Sequence, residues 1–97
     1  SSQDYIFPDS NSRYLTDEDL SGYSSDQLEL AKNEIYARHG RKFVTQRIAD
    51  YFNSKSWYKG TVEPETFDAD TSVFNEYEVA NIQKIADTEG KLRSEGK

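Results

Sequence analysis

His39 is the one histidine of the chain, and it follows Arg38 at the end of a segment with helical periodicity. A histidine can act as a general base or a metal ligand near neutral pH. In a last helical turn, the same cationic side chain also interacts favourably with free carbonyl groups. Zinc sites take several nitrogen or sulfur ligands, and the chain contains no cysteine. We therefore predict no catalytic residue, no metal and no cofactor, and we keep His39 as a candidate ligand-binding residue.

Glu34 and Arg38 are four residues apart, a spacing that places both on one face of a helix. The pair predicts a buried ionic fork that holds the helix to a loop. The alternative is that Arg38 receives a carboxylate or phosphate of a ligand. Gly40 follows where a helix typically ends in a left-handed residue. Glu34, Arg38 and Gly40 are accordingly predicted to form a structural signature.

The acidic residues give little support for a metal site or a hydrolase. Asp68, Asp70 and Ser72 have the spacing that begins a calcium-binding loop. Val73 stands where such a loop needs glycine, and Val79 stands where it needs a bidentate glutamate. Other acid pairs are expected by chance in a chain with 18 acidic residues.

Aromatic side chains are the remaining candidates for a binding surface. The chain has thirteen of them, 7 Tyr, 5 Phe and 1 Trp, in a domain that is only 34% hydrophobic. Exposed Trp and Tyr rings can stack on sugars, but a small core also needs large rings inside. Both alternatives stay open for Tyr5 and Tyr14. The predicted ligand-binding set is Trp57, Tyr58, Tyr36, Arg38 and His39.

Length and charge limit the classes of function. A chain of 97 residues forms one domain at most, and we expect it to be a monomer. The net charge of −6 disfavours binding to nucleic acid. No apolar run approaches the ~20 residues that cross a bilayer, so we expect no membrane insertion by this domain. The chain begins without methionine, and we interpret it as a piece of a longer protein.

Capping signals divide the chain into helices. Three capping boxes are predicted, at Thr16 with Asp19, Ser24 with Gln27, and Asn75 with Glu78. They predict helices over about 17–21, 25–39 and 76–90, and a further helix over 46–54. The region 55–72 is predicted to be a long ordered loop. The sequence thus predicts a small all-α domain of about four helices, with a linker end at 1–4, the domain at 5–90 and a frayed tail at 91–97.

The segment Glu34-Ile35-Tyr36-Ala37-Arg38-His39-Gly40 resembles the signature of the YARHG domain family, a small bacterial module found mostly outside the cytoplasm. After Trp57-Tyr58 the family commonly has a proline, and this chain has Lys59-Gly60 instead. The resemblance implies a fold and a location but no settled activity. It extends from about Tyr5 to Ala86 and includes Tyr5-Ile6-Phe7-Pro8, Ser12-Arg13-Tyr14-Leu15, Asp19-Leu20, Tyr51-Phe52, Ser56-Trp57-Tyr58, and Phe74-Asn75-Glu76 with Asn81.

Together these features predict a non-catalytic accessory domain of a secreted or membrane-tethered bacterial protein. Its tether would lie in a part of the protein outside this chain. The first hypothesis is a binding module for a cell-wall glycan, a peptide or a protein partner. The second is a structural spacer that positions a neighbouring domain. The third is a small hydrolase, which would require a cleft that holds His39 beside two carboxylates.

Overall fold

The computed structural model describes residues 5–96 of the chain. These residues form an all-α domain, as predicted, and an isolated parallel bridge between Arg41 and Val62 is the only β-type pairing among them. No helix in this range has the length and apolar character needed to cross a membrane. The predicted linker end at 1–4 lies outside the described residues. The helices are α1 (Asp17–Leu20), α2 (Ser25–Ala37), α3 (Gln46–Asn53), α4 (Pro64–Asp68) and α5 (Glu76–Ser94).

The three predicted capping boxes are all present. At the start of α5, for example, the Glu78 N–H donates to Asn75 Oδ1 at 2.9 Å. The Asn75 N–H donates in return to Glu78 Oε1 at 3.0 Å. Each box satisfies backbone donors that a helix cannot pair internally, which fixes where α1, α2 and α5 begin.

Helix α4 corrects the prediction of an irregular loop over 55–72. Pro64 occupies the first turn of α4, where the missing N–H costs no hydrogen bond and the fixed φ suits the helix. Phe67 on this short helix is buried and packs edge-on against Tyr36 at 6.0 Å between ring centroids. The burial of Phe67 holds the short helix against the domain.

Helix α5 corrects the predicted end at Gly90, because it continues to Ser94. An exposed glycine inside a helix costs about 1 kcal/mol relative to alanine. Contacts after Gly90 offset this cost: Leu92 packs against the core, and Arg93 Nη2 lies 3.1 Å from Glu89 Oε2. The predicted frayed tail at 91–97 is therefore helical through Ser94, and Lys97 lies outside the described residues.

Helices α2 and α5 pack along each other and build the larger of two core clusters. Its buried members are Phe7, Leu15, Leu20, Leu28, Ala31, Ile35 and Ile85. The second cluster contains Ala37, Ile48 and Phe52, with Phe43, Trp57 and Tyr58 packed against it. Phe43 folds back after Gly40 and stacks on Phe52 at 5.0 Å between ring centroids.

The buried face of α5 is more polar than predicted. The spacing of Val79, Ile82 and Ala86, with Ile85 beside them, predicts an apolar stripe. Ile85 is buried, but Val79 is 54% exposed. The buried positions are Glu78, Asn81, Ile85 and Glu89. Asn81 accepts a hydrogen bond from the Leu15 N–H at 2.8 Å and donates to the carbonyls of Ser10 and Arg13 at 2.8 and 2.9 Å. The N-terminal segment therefore docks on α5 through a buried amide.

Candidate functional site

The turn after α2 fixes the positions of Arg38 and His39. The Arg38 N–H donates to Glu34 O at 2.9 Å, and the Gly40 N–H donates to Ala37 O at 2.9 Å. Gly40 has φ +91°, the left-handed conformation that glycine adopts without strain. The Gly40 carbonyl then accepts hydrogen bonds from the N–H groups of residues 61 and 62, both at 2.9 Å. Arg38 and His39 thus project from a helix end that hydrogen bonds lock on both sides.

Arg38 and His39 line a surface pocket of about 320 Å³, which we call the signature pocket. It is built by the N-terminal segment, the end of α2, the loop after α3 and the first turn of α5. Trp57 from the predicted ligand-binding set also lies there, whereas Tyr36 and Tyr58 do not. The lining residues are Tyr5, Asn11, Arg38, His39, Trp57 and Glu78.

Tyr36 and Tyr58 lie outside the signature pocket. The Tyr58 hydroxyl donates to Arg41 O at 2.7 Å, and its ring packs 5.9 Å from Phe52. Tyr36 lies between the rings of Phe67 and Phe74 and lines a separate groove. Burial raises the pKa of both tyrosine hydroxyls. These contacts pack Tyr58 against the second core cluster and the Tyr36 ring of α2 against Phe67 of α4.

One wall of the signature pocket is aromatic. The rings of Tyr5 and Trp57 lie 4.9 Å apart at an interplanar angle of 38°. Trp57 also contacts Phe52 edge-on at 6.0 Å, which anchors the indole to the second core cluster. The Arg38 guanidinium lies 4.4 Å from the centre of the Tyr5 ring, within the range of a cation–π interaction. Tyr5, Trp57 and Arg38 therefore form one contiguous stack.

Glu34 and Arg38 do not form the predicted ionic fork, because each binds the N-terminal segment separately. Glu34 is fully buried and accepts hydrogen bonds from the N–H groups of Ile6 at 2.7 Å and Phe7 at 3.1 Å. Arg38 Nη1 donates to Pro8 O at 3.1 Å. Burial raises the pKa of Glu34, against the opposing effects of the two N–H donors and of the nearby Arg38 charge. The structural part of the signature is thus a clamp on the backbone of residues 6–8.

His39 joins the end of α2 to the start of α5. Its Nε2 lies 2.7 Å from Glu78 Oε2, and its ring meets Phe74 edge-on at 5.3 Å. The contact is a hydrogen bond between the imidazole and the carboxylate. Glu78 is 5% exposed, and its other oxygen caps α5. The Glu78 carboxylate therefore ties His39 to the start of α5.

The acidic residues of the calcium-like spacing are already paired within the domain. Asp68 accepts two hydrogen bonds from Arg41, both at 3.0 Å, and this holds the pKa of Asp68 below its usual range. Asp70 accepts from the hydroxyl and the N–H of Ser72, which lowers the pKa of Asp70. Within residues 5–96, no cluster of three His, Cys, Asp or Glu side chains could hold a metal ion.

Sequence reasoning missed two lining residues of the signature pocket. Glu78 was recognised only as a capping residue, and nothing in the sequence pairs it with His39, which is 39 positions away. Asn11 lies in the polar run Asp9-Ser10-Asn11-Ser12, whose composition predicts only a turn. Tyr5 was considered among the aromatic candidates but was left out of the predicted set. Only the packing of α5 against α2 and the docking of the N-terminal segment bring these residues together.

Comparison with known proteins identifies the family. No significant match was found among curated proteins or among solved structures. The model of the YARHG domain family matches residues 3–90, which is most of the chain. Four lining residues of the signature pocket, Tyr5, Arg38, His39 and Trp57, lie in segments that carried the resemblance. The chain therefore belongs to the YARHG domain family, whose members are bacterial domains of the extracellular type.

Proposed function

We propose that the domain is a non-catalytic binding module of a cell-surface protein, and that it binds a cell-wall ligand in the signature pocket. The tether of that protein would lie outside this chain. The observation that carries the proposal is the stack of Arg38, Tyr5 and Trp57 along one wall of the pocket. Half-buried Trp and Tyr rings beside polar groups are typical of sites that bind sugars or peptides.

The arrangement around His39 supports a non-catalytic role. The one carboxylate beside His39 in the pocket lining is committed to the fold, because one Glu78 oxygen lies 2.7 Å from His39 Nε2 and the other caps α5. The hydrolase hypothesis required His39 beside two carboxylates, and the lining of the signature pocket supplies one.

The spacer hypothesis is supported by a different observation, the structural work of the aromatic residues. Trp57 and Tyr58 pack against the second core cluster, and Tyr58 also binds the Arg41 carbonyl. If all aromatic residues serve only the fold, the domain will bind no cell-wall component. A binding experiment therefore separates the two hypotheses.

The test is a pulldown of the purified domain on insoluble peptidoglycan and on teichoic-acid preparations. We expect the wild-type domain to be retained and Trp57→Leu to be lost from the bound fraction. The matched control is Tyr14→Leu, because Tyr14 is an aromatic residue that is 53% exposed and lies outside the signature pocket. Urea titration of each variant verifies that it is folded. Retention of Trp57→Leu at the wild-type level, or no retention of the wild type, would contradict the proposal.

A further inference from the structure

Arg38 differs from the other arginines of the described residues in its charge pairing. The chain has an excess of acidic residues, 18 against 12 basic ones, so carboxylates are abundant. Arg38 nevertheless forms no ion pair with a carboxylate within residues 5–96. The other arginines do: Arg13 with Asp19, Arg41 with Asp68, Arg47 with Glu29, and Arg93 with Glu89. The unpaired guanidinium is the one that lines the signature pocket.

The Arg38 side chain is held in place but keeps donor capacity. Nη1 binds Pro8 O at 3.1 Å, and the guanidinium lies over the Tyr5 ring at 4.4 Å. Nε and Nη2 have no hydrogen-bond partner among residues 5–96. A planar fork fixed in this way is prepared for a carboxylate, and little side-chain entropy remains to be lost on binding.

The neighbouring carboxylates do not compete for these donors. Both oxygens of Glu34 accept from the N–H groups of Ile6 and Phe7. Both oxygens of Glu78 are engaged, one by His39 and one by the Asn75 N–H. As far as residues 5–96 are concerned, the Nε and Nη2 donors of Arg38 are therefore left for an anion from outside the domain.

We propose, on the basis of the function proposed above, that the ligand is an acidic sugar whose carboxylate binds Arg38. The ring of such a sugar would lie beside Tyr5 and Trp57, which line the same pocket. The amide of Asn11, at the rim of the pocket, suits a hydroxyl or acetamido group. A sugar is favoured over a peptide because the pocket is lined by polar and aromatic side chains that suit hydroxyl groups, rather than by a row of backbone groups that would pair with an extended peptide.

The inference is tested with N-acetylmuramic acid, its methyl ester and N-acetylglucosamine. These probes share the amino-sugar ring, and only the first carries a carboxylate. Trp57 is the one tryptophan of the chain, so its fluorescence reports binding directly. We expect the free acid to bind at least about tenfold more tightly than the ester or N-acetylglucosamine. Equal affinities would overturn the inference.

Variants then assign the effect to Arg38. Arg38→Gln should reduce the preference for the acid to less than about threefold, and Arg38→Lys should keep part of it. Arg47→Gln is the matched control, because Arg47 is paired with Glu29 and lies outside the signature pocket. The folding of each variant is verified by urea titration. An unchanged preference in folded Arg38→Gln would overturn the inference.

A peptide ligand and the pulldown show which of the two proposals has failed. Tighter binding of N-acetyl-D-alanyl-D-alanine than of the acidic sugar would overturn the choice of a sugar. If the domain is retained on peptidoglycan through Trp57 but shows no preference for the acid, the proposed function stands and this inference fails. If the domain is not retained and does not respond to the acid, both fail.

Discussion

Alanine substitutions at three glycines separate the effect of backbone strain from that of close packing, and the turn at Gly40 combines both. Gly40 has φ +91°, and a Cβ there would lie 2.7 Å from Thr61 Oγ1. Gly22 has φ +84° but lies in open space, since no heavy atom is within 4 Å of the position that a Cβ would take. Gly90 lies inside α5 with the same open space and without a positive φ. Gly40→Ala therefore tests strain together with crowding, Gly22→Ala tests strain alone, and Gly90→Ala tests neither.

The magnitudes follow from these geometries. Left-handed backbone costs a non-glycine residue about 1–2 kcal/mol, which is the expected loss in Gly22→Ala. Gly40→Ala adds a clash that displaces Thr61, whose N–H donates to the Gly40 carbonyl at 2.9 Å. Loss of that hydrogen bond adds about 1 kcal/mol, for a total of about 2–3 kcal/mol. Gly90→Ala should instead stabilise the domain by about 0.5–1 kcal/mol.

The assay is urea unfolding followed by circular dichroism. With an m value of about 1 kcal/mol per molar urea, Gly40→Ala should lower the midpoint by about 2–3 M. This is a large part of the ~5 kcal/mol expected for so small a domain. If Gly40→Ala costs no more than Gly22→Ala, the packing of residue 61 against the turn is not tight and the reasoning fails. A loss of stability in Gly90→Ala would contradict the continuation of α5 through that residue.

Four further predictions concern the rest of the domain. Asn81→Asp replaces the amide that donates to two loop carbonyls by a carboxylate, which cannot donate when ionised. The free energy of unfolding at pH 7 should therefore fall by about 2–4 kcal/mol. A loss below about 1 kcal/mol in urea titration would contradict this docking of the N-terminal segment. Arg41 lowers the pKa of Asp68, so the stability from this pair is present above about pH 4 and is lost as the pH falls through the folded-state pKa. In urea titrations between pH 7 and pH 2, the free energy of unfolding should fall slightly more for the wild type than for Asp68→Asn. The difference should stay below about 1 kcal/mol, because the Asp68 side chain is 61% exposed. An equal fall in both proteins would refute the linkage. EDTA should leave the Tm unchanged, and micromolar zinc or calcium should not raise it; a rise of several degrees would reveal a metal site. The domain should give no gel shift with DNA or RNA in ~150 mM salt, and a shift at low micromolar protein would show that the net charge of −6 is a poor guide.

Local chemistry was readable from the sequence because the interacting groups are neighbours along the chain. The capping residues of α1, α2 and α5 bond to backbone three positions away, and all three boxes are present. The positive φ at Gly40 was likewise predictable, since the helix end and its left-handed residue form one local motif. Pro64 at the start of α4 was a local signal of the same kind, but it was interpreted as part of a loop.

The signature pocket was decided by tertiary structure. Tyr5 meets Trp57 across 52 positions of sequence, and His39 meets Glu78 across 39. Residue types alone indicated an Arg38–Glu34 pair one helical turn apart, but Glu34 instead binds the backbone of residues 6 and 7. A buried carboxylate takes the donors that packing brings to it, and only the docked N-terminal segment supplies two N–H groups there. The sequence by itself determined the helix starts and the turn at Gly40, because those contacts are local. The packing of distant segments placed Arg38 beside Tyr5 and Trp57 and left it without a carboxylate partner among residues 5–96, because such contacts depend on how the helices assemble.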